Sequence, residues 1–248
     1  MGVLLERRDG VGVVTIDLPE RRNSLTLEMS AQLVQHVSDC EADDGVSAIV
    51  VTGAPPAFCA GADLTALGEA REDGLRAIYA GFLAVAKSSL PTIAAVNGAA
   101  VGAGLNLALA CDVRLAGPSA RFDARFLQLG LHPGGGMTWM VQRLVGPQTA
   151  TAMTLFGQVL DADEAVRTGL ALRKVDDVVA AAVELAQPAV KAPRDLVLAT
   201  KRTLRTTAAY DRHDDAVETE LVAQLASMDT PAFAELLAAM RARISRQA

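Results

Sequence analysis

Short apolar runs alternate with longer amphipathic stretches along most of the chain, and glycine or proline punctuates the changes between them. Residues 4–6 and 11–17 read as two strands, joined by the hairpin dipeptide Asp9-Gly10. Thr26 can cap a helix in which Leu27, Ala31, Val34 and Val37 recur at helical spacing. The continuous apolar run 47–52 reads as a strand buried on both faces, ended by Gly53 and Pro55-Pro56. A helix is expected over 67–88, and Pro91 then opens a strand through Val96. Residues 97–104 are glycine-rich, 105–111 read as a buried helix and 112–116 as a strand. A loop or short helix follows over 124–130, and residues 133–136 break the chain again. Further on, Asp161 with Glu164 resembles a capping box, Gly169 a helix stop, and Thr230-Pro231 a helix start. The order is β-β-α repeated roughly three times, then a helical tail from about Val178, which predicts an α/β core.

The stretch between Lys87 and Asp112 holds 24 uncharged residues, long enough to suggest a membrane span. Pro91, Asn97, Asn106 and several glycines interrupt it, so a strand, a glycine loop and a short buried helix account for it better. The chain of 248 residues carries a formal charge of −6 and no basic run, which excludes a nucleic-acid partner. Three scattered cysteines form neither a disulfide framework nor a metal knuckle, so no metal site and a cytoplasmic location are expected. The N-terminus has charge where a signal peptide needs an apolar core. Glu6 stands where a myristoylation start needs Ser or Thr. Alanine abounds, with 46 residues against six phenylalanines, two tyrosines and one tryptophan, favouring close packing of small side chains.

Two small-residue loops carry the most specific signal. One is Ala60-Gly61-Ala62-Asp63 after the strand at 49–52; the other is Gly102-Ala103-Gly104, opening the helix at 105. Small residues let a ligand reach the backbone, and N–H groups at a helix start have no intrahelical partner. Two such groups aimed at one point would form an oxyanion hole. Tight strand–helix packing would need small residues equally. The glycine fingerprints of dinucleotide and P-loop phosphate sites are absent, as is the GxSxG nucleophile elbow.

The segments FCAGADL, PTIAAVNGAAVGAGLNLALACDVRLA, FLQLGLHPGGG and LFGQVLDADEAVRTGLA resemble the crotonase (enoyl-CoA hydratase/isomerase) superfamily, from about Val11 to Asp177 and more weakly beyond. The resemblance implies an α/β spiral of ββα units over 1–177, carrying an acyl-CoA site. It also implies a C-terminal helical trimerisation region over 178–248, with homotrimers often paired into hexamers. It implies no permanently bound cofactor: coenzyme A arrives as part of the thioester. The thioester carbonyl would be held by the N–H groups of Ala62 and Ala103. Ala60, Gly61, Asp63 and Leu64 would line the coenzyme A site, with Arg21 and Arg22 near its phosphates. Gly102, Phe126, Gly134 and Gly135 would border the acyl group.

The resemblance also locates proton chemistry. Family hydratases place two glutamates around the attacking water; these positions carry Asn106 and Phe126 here, and a third acid position used by other members carries Gly134. None of the three can exchange a proton near neutrality. His132 is the nearest residue suited to proton transfer, although a lone loop histidine is commonly solvated. Asp123 and Arg125 are close enough in sequence to pair with each other. An unorthodox lyase or isomerase, a thioester decarboxylase, and a silent fatty acyl-CoA carrier or sensor all remain compatible with this pattern.

Overall fold

The computed structural model describes residues 2–63 and 72–245. The strands are β1 (Gly2–Arg8), β2 (Val11–Asp17), β3 (Ala48–Gly53), β4 (Thr92–Val96), β5 (Ala99–Val101), β6 (Val113–Ala116), β7 (Arg121–Asp123), β8 (Leu160–Asp161) and β9 (Arg173–Lys174). The helices are α1 (Leu27–Ala42), α2 (Glu72–Lys87), α3 (Ala103–Ala110), α4 (Met137–Leu155), α5 (Ala162–Arg167), α6 (Val178–Lys191), α7 (Arg194–Thr207), α8 (His213–Met228) and α9 (Pro231–Ser245). Compact units span Met1–Val190 and Lys191–Ala248. No helix among the described residues is long and apolar enough to cross a membrane.

The larger sheet runs β1-β2-β3-β4-β6-β9, with β1 antiparallel to β2 and every later pair parallel. Asp9 and Gly10 both have positive φ (49° and 76°), as the two central residues of a type I′ hairpin turn require. Every residue of β3 and β4 is buried, the pattern of parallel strands covered on both faces. On one face, Val11, Val13, Val50, Ile93 and Leu115 pack against Val178, Ala182, Val183 and Ala186 of α6. That packing carries the first compact unit to Val190, 13 residues past the expected boundary at 177: α6 belongs to the core instead of the tail because its apolar stripe covers the sheet. A smaller sheet, β5-β7-β8, stands apart; β5 lies inside the stretch that reads only as a glycine loop in sequence.

Thr26 caps α1 by accepting from the Met29 N–H at 3.1 Å. The helix buries Met29, Leu33, Val37 and Cys40, whereas Leu27 and Val34 are exposed. The helical spacing was legible, and the buried face is the one turned toward α2. There Ser30 Oγ donates to the Ala77 carbonyl at 2.7 Å and accepts from the Gly81 N–H at 3.0 Å. The capping box at Asp161 and Glu164 is formed, and Thr230 accepts from the Phe233 N–H. Gly146, at φ 74° and ψ 169° and followed by Pro147, breaks α4 into two helical pieces.

Candidate active site

Cys59 is where the two small-residue loops are brought together. Its N–H donates to the Ala99 carbonyl at 3.0 Å, and its carbonyl accepts from the Val101 N–H at 2.9 Å, so residues 58–60 run alongside β5. A Cβ on Gly104 would overlap the Cys59 carbonyl, and one on Gly61 would lie 2.9 Å from the Val101 carbonyl oxygen and 3.7 Å from the Ala103 nitrogen. Glycine at both positions is what lets the first loop approach the start of α3. Gly61 also has φ 108°, a conformation that side chains resist.

Leu25 then sets the direction of the loop. Its N–H donates to the Gly61 carbonyl at 2.7 Å and its carbonyl accepts from Asp63 at 2.9 Å. In this parallel bridge the intervening Ala62 turns its own N–H the other way. Ala103 is the first residue of α3, where no intrahelical acceptor exists. Among the described residues neither amide has a hydrogen-bond partner. Both residues line one cavity of about 620 Å³.

Arg22, Ala60, Gly61, Asn106, Phe126, His132 and Gly134 line the same cavity, joined by Leu75, Ile78 and Tyr79 of α2 and by Arg125. Of the other expected site residues, Gly102 caps α3 at φ 54°, and a Cβ there would come within 4.0 Å of the Phe126 ring. Gly135 is tucked behind the wall, where a Cβ would collide with Phe82 and approach Asn106 Nδ2 at 2.7 Å. Arg21 Nη1 reaches Asp63 Oδ2 at 2.7 Å; this pair braces the loop, and neither residue lines the cavity. Leu64 lies outside the described residues.

The polar groups of the lining divide clearly. Asn106 is buried; its Nδ2 donates to the Gly134 carbonyl at 2.9 Å, and its Oδ1 has no partner. Arg125, held at φ 44°, reaches the buried Asp123 carboxylate at 2.5 Å, so that carboxylate is committed to an ion pair. His132 is exposed, and its Nδ1 lies 2.7 Å from the Pro133 carbonyl. A carbonyl only accepts, so Nδ1–H is the donor in this contact. The Arg22 guanidinium has no partner among the described residues. No Asp or Glu is among the described residues that line the cavity. Burial pushes the neighbouring Cys59 thiol up to about 12, which makes it a packing residue and not a nucleophile.

Two residues central to the geometry escaped the sequence reading. Asn23, fully buried at φ 61°, accepts from the Leu18 N–H and donates to the Ala54 and Ala57 carbonyls, pinning the Arg22 loop beside the cavity. Tyr79 is the other; its signal was its rarity, as one of two tyrosines in the chain.

The ββα α/β fold thus sets Ala62 and Ala103, whose amides have no hydrogen-bond partner among the described residues, on the lining of one largely apolar cavity. The sequence matches the enoyl-CoA hydratase/isomerase family over residues 6–239, and the chain belongs to that family. It is 56% identical over 250 residues to a Mycobacterium tuberculosis protein named probable enoyl-CoA hydratase, covering 97% of this chain and 98% of the relative. It is 38% identical over 183 residues to the 1,2-epoxyphenylacetyl-CoA isomerase of Escherichia coli, covering 71% and 70%. The solved enoyl-CoA hydratase of Bacillus anthracis superposes with a TM-score of 0.91 at 27% identity, covering 98% and 97%. The crotonase fold and action on CoA thioesters are thereby shown for the family to which this chain belongs.

Proposed function

We propose that the cavity binds an acyl-CoA thioester with its carbonyl oxygen between the N–H groups of Ala62 and Ala103, and that the chain acts through the enolate these amides stabilise. The observation that carries this reading is that Ala62 and Ala103, whose amides have no hydrogen-bond partner among the described residues, line one cavity. Arg22, which has no partner among the described residues and lines the same cavity, supplies a cation for the coenzyme A phosphates. Arg21 contributes less to the phosphates, because Asp63 already engages it. Phe126 with Leu75, Ile78, Leu129 and Leu131 gives the acyl group an apolar wall. The homotrimer, or a hexamer of paired trimers, is part of the same proposal.

Ordinary hydration is expected to be weak. Adding water across a conjugated thioester needs a base on the water and an acid at the α-carbon. Asn106, Phe126 and Gly134 offer neither, and the Asp123 carboxylate is tied to Arg125. Each missing acid or base lowers turnover by roughly 10²–10⁴. Crotonyl-CoA turnover should therefore fall at least two orders of magnitude below that of a two-glutamate hydratase; comparable turnover would refute this. The decisive experiment incubates the protein with a panel of saturated, 2-enoyl, 3-hydroxyacyl and malonyl-type CoA thioesters, measuring affinity by calorimetry and mass change by mass spectrometry. Binding with conversion of one class supports the enzyme reading and names its reaction. Binding without conversion across the panel identifies a carrier or sensor, and absence of binding overturns the site.

A further inference from the structure

Tyr79 places a hydroxyl against a stretch of cavity wall, at Gly134, that has no side chain. A Cβ on Gly134 would overlap its Oη and lie 3.1 Å from its Cζ, so the phenol stands where a larger residue at 134 would project. The ring is held in place: it packs tilted against the fully buried Phe82 at 5.5 Å, and Ser30 and Gly81 lock α2 to α1 two residues away. Among the described residues, the Tyr79 hydroxyl has no hydrogen-bond partner.

The neighbours of Gly134 connect this hydroxyl to the amide pair. Asn106 Nδ2 holds the Gly134 carbonyl at 2.9 Å, and Asn106 lies on the same face of α3 as Ala103, three residues on. The order along the wall is thus the Ala103 N–H, Asn106, Gly134 and Tyr79. The other titratable side chains lining the cavity do not match this position. Arg22 and Arg125 cannot give up a proton near neutrality. His132 is exposed, with Nδ1 turned to its neighbour's carbonyl.

We propose that Tyr79 is the catalytic residue that exchanges the proton at the α-carbon of the bound thioester. The inference rests on the reading of Ala62 and Ala103 as the thioester site. In the protonation direction, the Tyr79 Oη–H bond breaks and a Cα–H bond forms from the electron pair of the enolate. The thioester C=O re-forms between the two amides. The phenolate then takes a proton from a cavity water and releases hydroxide. Deprotonation runs the same steps in reverse.

The test uses saturated acyl-CoAs, which can neither add nor eliminate water. The full-length protein is incubated in D₂O with butyryl-, octanoyl- and palmitoyl-CoA; α-deuteration is followed by mass spectrometry and affinity by calorimetry. The wild type should incorporate deuterium into any thioester it binds. Tyr79→Phe, which keeps the ring against Phe82, should slow incorporation by about 10²-fold or more with Kd changed less than twofold. Undiminished exchange in Tyr79→Phe overturns the proposal, as does loss of exchange in His132→Gln alone. Binding of a thioester by the wild type without exchange also overturns it while leaving the thioester site intact. Failure of the wild type to bind any of the three overturns the site itself.

Discussion

Ala103 carries a methyl group, yet what matters at this position is its backbone N–H, left over because a helix begins there. Proline is tolerated at a first helical position and lacks that N–H. Ala103→Pro should therefore keep the far-ultraviolet circular dichroism of the wild type. Its kcat on whichever thioester the panel identifies should fall by about 10²–10³, the usual cost of one oxyanion donor. A rise in KM with kcat unchanged would show that the amide binds substrate and transition state alike and does not serve the transition state alone. The thiols provide a second test at this scale. Burial raises Cys40 to about 11 and Cys59 to about 12 from an ordinary 9.0, so the native protein should resist a disulfide reagent at pH 8, whereas unfolded protein should release three thiols. The sign for stability follows: below pH 9 folded and unfolded chains both carry the thiol. Above it the unfolded chain ionises first, and stability declines with rising pH up to about pH 12.

Elements matter through the turns that aim them. The loop before α1 has αL residues at Arg22 and Asn23, and the Asn23 side chain binds four backbone groups, those of Leu18, Ala54, Ala57 and Phe58. Asn23→Ala would leave those groups buried and unpaired, at a cost of about 2–4 kcal/mol. The urea midpoint should drop accordingly. Acyl-CoA affinity should weaken as well, because the Arg22 carbonyl also accepts from the Ala60 N–H at 3.0 Å. An unchanged midpoint would show that the loop is held by other contacts. Much of this level was legible locally. The hairpin at Asp9-Gly10, the Thr26 cap and the capping box at Asp161 are each decided within four residues by turn and helix-end chemistry. Which stripe of α1 is buried was not legible locally, because Leu27 and Val34 are as apolar as Met29 and Leu33, and packing against α2 and the sheet decides which is covered.

At the scale of the whole molecule, neither α8 nor α9 buries a single residue, and Val222, Leu225, Leu236, Met240 and Ile244 are all about half exposed or more. Apolar surface of this extent on helices calls for a covering partner. The trimer or hexamer we propose would supply one from further copies of the chain. Light scattering after size exclusion should give three or six times 25.9 kDa. Leu236→Asp should shift that mass toward the monomer by placing a charge in the covered face. A wild-type monomer at micromolar concentration would refute the assembly.

By itself the sequence determined the α/β class, the family resemblance, the two glycine-bearing loops and the missing acids, because each depends on residue type at short spacing. The convergence of Ala62 and Ala103 on one cavity was decided by tertiary structure. So was the arrival of Tyr79 beside Gly134, 55 positions away in the chain. The reason is physical: strand order and helix packing bring distant segments within hydrogen-bonding distance, and no local pattern of apolar and polar residues encodes which of them will meet.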